Sequence, residues 1–301
     1  MREGSGRNSG REPDLWAFKV GYYSDGFLGY AKQPGKPTVE GLLEEALLRR
    51  KVIRRGDRIL VASRTDRGVH AIGNVIAFQT PLDGRIAARI LDSIDGRFFC
   101  FGFARAPPDF LPRRAEERWY RYMMPGKGHD IKQWSAWAME FEGTHDFTSF
   151  SRKDSPPKET RRTVTSVRIS QSGPDFLLDI VAPSFLWGQV RKIVAALMEL
   201  EAGRMTVSDL SDALSGKRRL TLPLAPPERL VLMDVTYPFA FIPTDPNVPR
   251  RREFLESAVE GLKLRITLLD WFKERPERAH DGLPRQTVES PRQAGETRHL
   301  Q

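Results

Sequence analysis

The chain has 301 residues and is basic: 48 Lys and Arg stand against 39 Asp and Glu, a formal net charge of +9 at pH 7. This balance indicates an anionic partner, most commonly nucleic acid, although a basic protein without such a partner can have the same composition. The single cysteine, Cys100, excludes a disulfide framework within one chain. The sequence has no apolar run of about 18 residues, so it predicts no membrane span, and the N-terminus lacks an apolar signal core. We therefore expect a cytoplasmic protein.

The N-terminal half has the pattern of strands covered by helices. Residues 1–14 are rich in glycine and charge, and we expect them to be disordered. Period-two alternation and helical spacing then predict a strand at 16–22, a helix at 38–47, strands at 58–62 and 72–78, a helix at 86–94 and a strand at 97–104. Prolines at 107, 108 and 112 predict a crossover to the next half.

The C-terminal half repeats this theme. The pattern predicts strands at 118–124, 163–170, 176–182 and 230–237, and helices at 188–202 and 206–216. Thr206 and Asp209 form a variant of the capping box at the start of the last helix. An apolar stripe from 255 to 269 predicts a further helix, which we expect to pack on its own chain. Strands and helices in both halves indicate an α+β protein with helices packed on a central sheet.

The string SRTDRGVHA at 63–71 lies between two predicted strands and is the most informative segment. It places Asp66 at a tight turn, with Arg64 before it and Arg67 directly after it. A carboxylate beside arginine favours its charged form, and a positioned carboxylate can act as a nucleophile or a base. An isolated Thr-Asp-Xaa-Gly would more simply close a turn, because Asp and Gly are common turn residues.

The whole string resembles the catalytic motif of the tRNA pseudouridine synthase A (TruA-like) family. Other segments match that family in the same order: GYYSDGFLGY at 21–30, TVEGLLEEAL at 38–47, RWYRY at 118–122, GTHDFTSF at 143–150, SFLWGQVR at 184–191 and LAPPE at 224–228. The form of the SFLWGQVR segment is similar to the archaeal and eukaryotic branch. The resemblance covers residues 16 to 240, and a chance match of so many ordered elements is implausible.

The resemblance implies a fold of two similar α+β halves that share a large, mainly antiparallel sheet, with the active-site cleft between them. The corresponding organisation is a disordered tail at 1–14, an N-terminal half at 15–112, a C-terminal half at 113–245, a helical extension at 246–275 and a disordered tail at 276–301. It also implies an isomerase that converts uridine to pseudouridine at positions 38–40, in the tRNA anticodon stem-loop. No cofactor or metal is implied, and a homodimer is expected.

By the same resemblance, Asp66 is the catalytic residue, Tyr120 is the active-site tyrosine and Arg191 pairs with Asp66. Tyr120 can stack on the target uracil, although a core tyrosine is the commoner explanation of any one position. The alternative interpretation of Arg191 is an ordinary solvated helix residue, because Lys192 is adjacent and equally basic. Arg64 either keeps Asp66 charged or pairs with a phosphate of the flipped nucleotide.

Other residues are candidates for binding the substrate. Tyr122 shares a strand face with Tyr120. Arg161 and Arg162 lie in a basic segment at 151–168, which either contacts RNA phosphates or is a solvated loop.

Two other function classes are compatible with parts of the pattern. A non-catalytic RNA-binding or chaperone protein on the same fold would not need Asp66, Tyr120 and Arg191 together. A hydrolase of glycosidic bonds would use Asp66, but such enzymes usually employ two carboxylates and only one candidate is evident.

Overall fold

Two long antiparallel strands, β1 (Asp14–Tyr22) and β3 (His70–Thr80), form the base of the N-terminal half. The structure is a computed structural model that describes residues 13–152, 159–245 and 248–273. β2 (Leu60–Val61) pairs with β3, and β4 (Phe98–Arg105) pairs with the other edge of β1. Helices α1 (Val39–Arg49) and α2 (Gly84–Asp92) bury one face each in the core of this half. The side chains of Thr38 and Asp83 cap their N-termini, as such residues commonly do.

The C-terminal half contributes the remaining long strands. They are β5 (Glu117–Pro125), β8 (Ser166–Ser172), β9 (Asp175–Ala182) and β10 (Leu230–Thr236). The helices of this half are α3 (Ile131–Met139), α4 (Gln189–Glu201) and α5 (Val207–Leu214), and the predicted capping box of Thr206 and Asp209 opens α5. β6 (Gly143–Asp146) and β7 (Arg161–Val164) form a separate two-stranded sheet.

Within the described residues, the main sheet has nine strands in the order β11–β4–β1–β3–β10–β5–β9–β8, with β11 (Ile242–Pro243) at one edge and β2 beside β3. Its only parallel pairing joins β3 to β10, where His70 faces Val231 and Ala71 faces Leu232. The backbones approach so closely there that a Cβ at Gly73 would lie 2.3 Å from the carbonyl oxygen of Met233. The predicted fold class, a mainly antiparallel α+β sheet with packed helices, is confirmed.

Each half has its own apolar core. One core contains Phe18 and Phe78, whose rings stack 4.8 Å apart, and the other contains Phe141 and Phe150. Strand β10 serves both, because Leu230 lies in the second core and Leu232 in the first. The junction strand therefore ties the two cores to one another.

Several predicted elements need correction. The predicted strand at 163–170 is two strands, β7 and β8, because the backbone leaves the small sheet after Val164 and joins the main sheet at Ser166. The predicted strand at 58–62 shortens to β2. β1 begins at Asp14, inside the predicted tail; residues 1–12 and 274–301 lie outside the described part of the chain. Helix α3 and strands β6 and β11 were not predicted.

Helix α6 (Pro249–Lys273) forms where a helix was predicted and runs from the compact unit that ends at residue 254 into a second unit. In its first turns, Arg251 donates to the carboxylate of Asp92 at 2.9 Å and to the carbonyl oxygen of Cys100 at 3.0 Å. The apolar side chains that follow belong to the second unit and are exposed, and their packing on the chain stays a prediction: Leu255, Val259, Leu262, Leu264, Ile266 and Leu269. Among the described helices, none has the length and hydropathy to cross a membrane.

Candidate active site

The turn that carries Asp66 is fixed from below by buried polar side chains. Asn74, fully buried on β3, donates to the carbonyl oxygen of Ser63 at 2.8 Å and accepts from its backbone N–H at 3.3 Å. Asn74 also donates to the hydroxyl of Tyr22, which is hydrogen-bonded to the Thr65 hydroxyl at 2.8 Å. Because buried polar groups are costly to leave unpaired, this network defines one conformation of the segment before Asp66.

The turn closes after Asp66 through a glycine. The backbone N–H of Val69 donates to the carbonyl oxygen of Asp66 at 3.1 Å. Gly68 has φ +85°, a conformation that side chains disfavour, and a Cβ there would lie 2.9 Å from Pro227. The geometry of this tight turn and the close approach of the 224–228 segment both require glycine at this position.

Two donors from the other half of the protein hold the carboxylate of Asp66. Arg191 Nη1 donates to Oδ2 at 3.0 Å, and the indole Nε1 of Trp187 donates to Oδ1 at 3.0 Å. The Asp66 side chain is 26% exposed and that of Arg191 is 12% exposed, so the pair lies at the protein surface without being fully solvated. Arg191 also donates through Nε to the carbonyl oxygen of Ala225 at 2.7 Å.

Trp187 is itself held by a neighbouring cation. The Arg152 guanidinium lies 3.9 Å from the centre of the indole ring, and the Arg152 backbone N–H donates to the Trp187 carbonyl oxygen at 2.8 Å. Gly188, at φ +74°, begins helix α4, and a Cβ there would lie 3.4 Å from the Arg152 side chain. A cation–π contact of this kind favours one orientation of the indole.

Tyr120 lines the same cleft from strand β5. Its ring meets that of Phe185 edge to face, with the centroids 5.3 Å apart. Burial raises the pKa of Tyr120, while its hydrogen bond to Ser63 and the charge of Arg118 lower it and the charge of Asp66 raises it further. The hydroxyl is therefore a neutral donor at physiological pH, and it lies close enough to Asp66 for the charge of the carboxylate to affect its pKa.

Arg118 is a buried cation that joins both walls of the cleft through neutral acceptors. It donates to the Ser63 hydroxyl at 3.2 Å, to the carbonyl oxygens of Ala62 and Arg113 at 3.2 and 2.8 Å, and to that of Pro183. Desolvation lowers the pKa of Arg118. These contacts connect the strand that precedes Asp66 to the segment that leads to Trp187.

The cleft is lined from both halves, by residues 28–31 and 57–69 of the first and by residues 111–120 and 184–191 of the second, with gaps. Within the described chain, no group of three or more His, Cys, Asp and Glu side chains could hold a metal ion.

Comparisons with known proteins identify the family of this chain. A family described as tRNA pseudouridine synthase matches residues 137–238. The tRNA pseudouridine synthase A of Methanothermobacter thermautotrophicus is 38% identical over 224 residues, which cover 73% of this chain and 80% of that protein. This chain belongs to the tRNA pseudouridine synthase A family. The family and enzyme class predicted from the sequence, an isomerase, are thereby confirmed.

Other members of the tRNA pseudouridine synthase A family match the chain to a similar or greater extent. That of Thermococcus sibiricus is 36% identical over 261 residues, 85% of this chain and 98% of that protein. That of Methanocella arvoryzae is 38% identical over 223 residues, 73% of this chain and 84% of that protein. A solved Cbf5-Nop10-Gar1 complex gives a TM-score of 0.32 at 12% identity, covering 60% of this chain and 43% of that chain, a similarity too low to support an argument.

The structure brings three predicted site residues of this family member together: Asp66, Tyr120 and Arg191. Arg64 is exposed and lines the cleft, but within the described residues no ion pair joins it to Asp66, a place that Arg191 takes. Of the two roles predicted for Arg64, contact with a phosphate is therefore the one that its position favours.

Other predicted residues lie elsewhere. Tyr122 is fully buried in the second core and its hydroxyl donates to the Pro226 carbonyl oxygen at 3.0 Å, so it does not reach the cleft. Tyr122 lies on the same strand face as Tyr120. At its position, two residues further along the strand, apolar side chains of the second core cover that face. Arg161 and Arg162 lie on β7 of the small sheet and do not line the cleft. Residues 153–158 of the predicted basic segment lie outside the described chain.

Sequence reasoning did not identify Trp187 or Arg118 as site residues, and it placed Arg152 only within the basic segment at 151–168, as a candidate RNA contact. Trp187 belongs to the matching segment SFLWGQVR, in which it stands four residues before Arg191. That spacing is the only signal in the sequence that pointed to it. The contacts of Arg152 and Arg118 depend on loops that only the folded chain brings together.

Proposed function

We propose that this protein isomerises uridine to pseudouridine in the anticodon stem-loop of tRNA, at positions 38–40, with Asp66 as the catalytic residue. The observation that carries the proposal is the placement of Asp66. Its carboxylate is partly exposed in a cleft, with Arg191 and Trp187 donating one hydrogen bond to each oxygen. A carboxylate fixed in this way is ready to act on a nucleoside that enters the cleft.

The reaction breaks the N1–C1′ bond, turns the base and joins C5 to C1′, so it is a redox-neutral rearrangement within one nucleotide. Asp66 is the group that reacts, by attack at C1′ or C6 or by removal of a sugar proton. Arg191 neutralises part of the charge of Asp66 and keeps its orientation. Tyr120 offers a flat ring for stacking and a neutral hydroxyl near the base, which suits a role in the transfer of the C5 proton.

A uridine in a stem-loop reaches such a cleft only after it leaves its stack, at a cost of a few kcal/mol. Backbone contacts with basic side chains offset this cost. Arg64 at the cleft is one candidate, and Arg161 and Arg162 on β7 are others. The net charge of +9 adds a long-range attraction for tRNA.

We further propose, from the family resemblance, that the protein acts in the cytoplasm as a homodimer. Sedimentation equilibrium of the full chain tests the second point, because a molar mass of one 34.3 kDa chain contradicts it.

The decisive experiment maps pseudouridine in an unmodified tRNA transcript after incubation with the protein. We expect new pseudouridine at one or more of positions 38–40 and at no other site. Asp66→Asn is expected to abolish the product while tRNA binding stays within about twofold, because the substitution removes a charge but keeps the shape. Turnover by Asp66→Asn contradicts the role of Asp66. Product at other positions contradicts the substrate assignment, and tRNA binding without product favours the non-catalytic RNA-binding alternative.

A further inference from the structure

We infer that Trp187 is a positioning residue for Asp66, and that Arg152 fixes Trp187 in this role. The inference rests on the proposed function and adds a second holder of the carboxylate besides Arg191. The indole N–H of Trp187 occupies Oδ1 of Asp66 and the guanidinium of Arg191 occupies Oδ2, each at 3.0 Å. A carboxylate with one donor can rotate about its terminal bond, whereas one with a donor on each oxygen rotates only by breaking a hydrogen bond.

Both donors come from one short segment at the start of α4. Trp187 lies just before the N-cap Gly188 and Arg191 lies in the first turn of α4, so the short stretch of chain around this cap sets the distance between the two holders of Asp66. Neither bond blocks the chemistry, because each carboxylate oxygen has two lone pairs and keeps one free for the substrate. The arrangement therefore orients the carboxylate and leaves it reactive.

Trp187 needs support to do this, because its side chain is 43% exposed. An exposed indole without other contacts samples several rotamers, and only one of them reaches Asp66. Arg152 supplies the support through its guanidinium on the ring and its backbone N–H on the Trp187 carbonyl oxygen. Gly188 contributes by having no side chain, since a Cβ there would lie only 2.9 Å from Leu224 and the Arg152 side chain packs directly over this position.

The segment before Arg152 is anchored in turn by α4. Lys192 Nζ donates to the carbonyl oxygens of Ser149 and Ser151, at 3.2 and 2.8 Å. The start of α4 therefore holds Asp66 directly, through Arg191 in its first turn and Trp187 just before its N-cap, and indirectly, through the anchored position of Arg152.

The protein contains a matched control outside the cleft. The indole N–H of Trp119 donates to Asp179 Oδ1 at 2.6 Å, and the Arg121 guanidinium lies 5.2 Å from the centre of that ring. Arg121 also pairs with Asp179, so this trio has the same three side-chain types as the one at Asp66. Trp119→Phe and Trp187→Phe thus remove the same kind of donor, an indole N–H, and leave the same aromatic ring, a phenyl group, at both positions.

The test compares single-turnover rates of pseudouridine formation and affinities for tRNA. Trp187→Phe is expected to lower the rate about 10- to 100-fold, with tRNA affinity unchanged, because a misplaced catalytic group affects the chemical step and not binding. Trp119→Phe is expected to react at the wild-type rate. A wild-type rate for Trp187→Phe, or an equal loss in both variants, overturns the inference.

Arg152 is tested by a pair of substitutions. Arg152→Ala is expected to lower the single-turnover rate less than Trp187→Phe does, and Arg152→Lys is expected to recover part of the loss, because lysine keeps a weaker cation–π contact. Combined with Trp187→Phe, Arg152→Ala is expected to add little, since it acts through the same ring. If Arg152→Ala changes only tRNA affinity and its salt dependence, Arg152 is a phosphate contact and its assigned role is wrong.

A measurement without turnover separates this inference from the proposed function. The indole N–H resonance of Trp187, assigned with Trp187→Phe, is expected to shift when Asp66→Ala removes its acceptor, while the Trp119 resonance stays in place. An unmoved Trp187 resonance overturns the inference even if the wild-type protein makes pseudouridine. If Asp66→Ala shifts the Trp187 resonance but the wild-type protein makes no pseudouridine, the proposed function is overturned and the contact stays established.

Discussion

Arg191 connects Asp66 to the 224–228 segment through one guanidinium group. Nη1 donates to Asp66 Oδ2 at 3.0 Å and Nε donates to the Ala225 carbonyl oxygen at 2.7 Å. The planar geometry of the group fixes the angle between these two bonds. The position of the carboxylate therefore depends on the loop that leads into β10 as well as on its own turn.

Arg191→Lys is expected to lower the rate of pseudouridine formation about 10- to 100-fold, because an ammonium group keeps the charge but cannot make both bonds in fixed geometry. Arg204→Lys is the matched control, since Arg204 makes a two-bond contact with Glu199 just beyond the same helix and away from the cleft. Single-turnover kinetics with both variants test this. Equal rates for wild type and Arg191→Lys would show that charge alone is sufficient.

Tyr120→Phe is expected to keep tRNA affinity and lower turnover about 10- to 1000-fold, because phenylalanine keeps the ring for stacking but removes the group proposed to move the C5 proton. Burial raises the pKa of Tyr120 above its ordinary value, so the ionisation of its hydroxyl is not expected to lower the wild-type rate near neutral pH. The check is a pH–rate profile from pH 7 to pH 10. Full activity of Tyr120→Phe would restrict this residue to stacking.

The double substitution Arg161→Ala and Arg162→Ala is expected to weaken tRNA binding and to flatten its salt dependence by about 1.5 units of the log–log slope, if each arginine contacts one phosphate. Arg161 is exposed on β7. Arg49→Ala with Arg54→Ala removes the same charge from another exposed surface and serves as the control. A slope equal in both double variants would mean that β7 does not contact the RNA.

Burial raises the pKa of Tyr22, Tyr30, Tyr120, Tyr122 and Tyr237, with that of Tyr122 raised to about 12. Above pH 10, the unfolded chain loses tyrosine protons that the folded protein retains, so the free energy of unfolding is expected to fall as pH rises. A tyrosine that is deprotonated in the unfolded chain and still protonated in the folded protein contributes at most about 1.4 kcal/mol per pH unit to this fall.

Urea unfolding at pH 8, 10 and 11 measures this effect. Tyr122→Phe is the informative variant, because it removes one titrating group and should reduce the slope above pH 10. A free energy of unfolding that is constant from pH 8 to pH 11 contradicts the prediction.

The sequence was most informative where periodicity and family motifs coincide. β3, α1 and α4 were predicted to within a few residues because each has a long apolar pattern on one face. Asp66 and Arg191 were selected through short motifs far apart in the chain, and the structure joins them. Helix α3 was missed because its apolar face is short, with only Trp134 and Ala138 buried.

The failures concern contacts that local pattern does not encode. Strand alternation places Tyr122 and Tyr120 on the same face, but it does not report that Tyr122 is fully buried in the second core whereas Tyr120 is only partly buried against it. The Thr163–Ser170 region looked continuous because both of its strands are rich in β-branched residues, and the change of sheet at Thr165 depends on distant partners. The apolar residues of α6 have helical spacing, yet spacing does not say whether a surface faces them.

The parallel pairing of β3 with β10 has a consequence for how the protein is made. Asp66 is translated early. The strand beside its turn, β10, comes only from residues 230–236, and the arginine that holds Asp66 is residue 191. Contacts of such long sequence separation form slowly and late. We expect a nascent chain to remain inactive until residue 236 has been translated, so that activity arises in one late docking step.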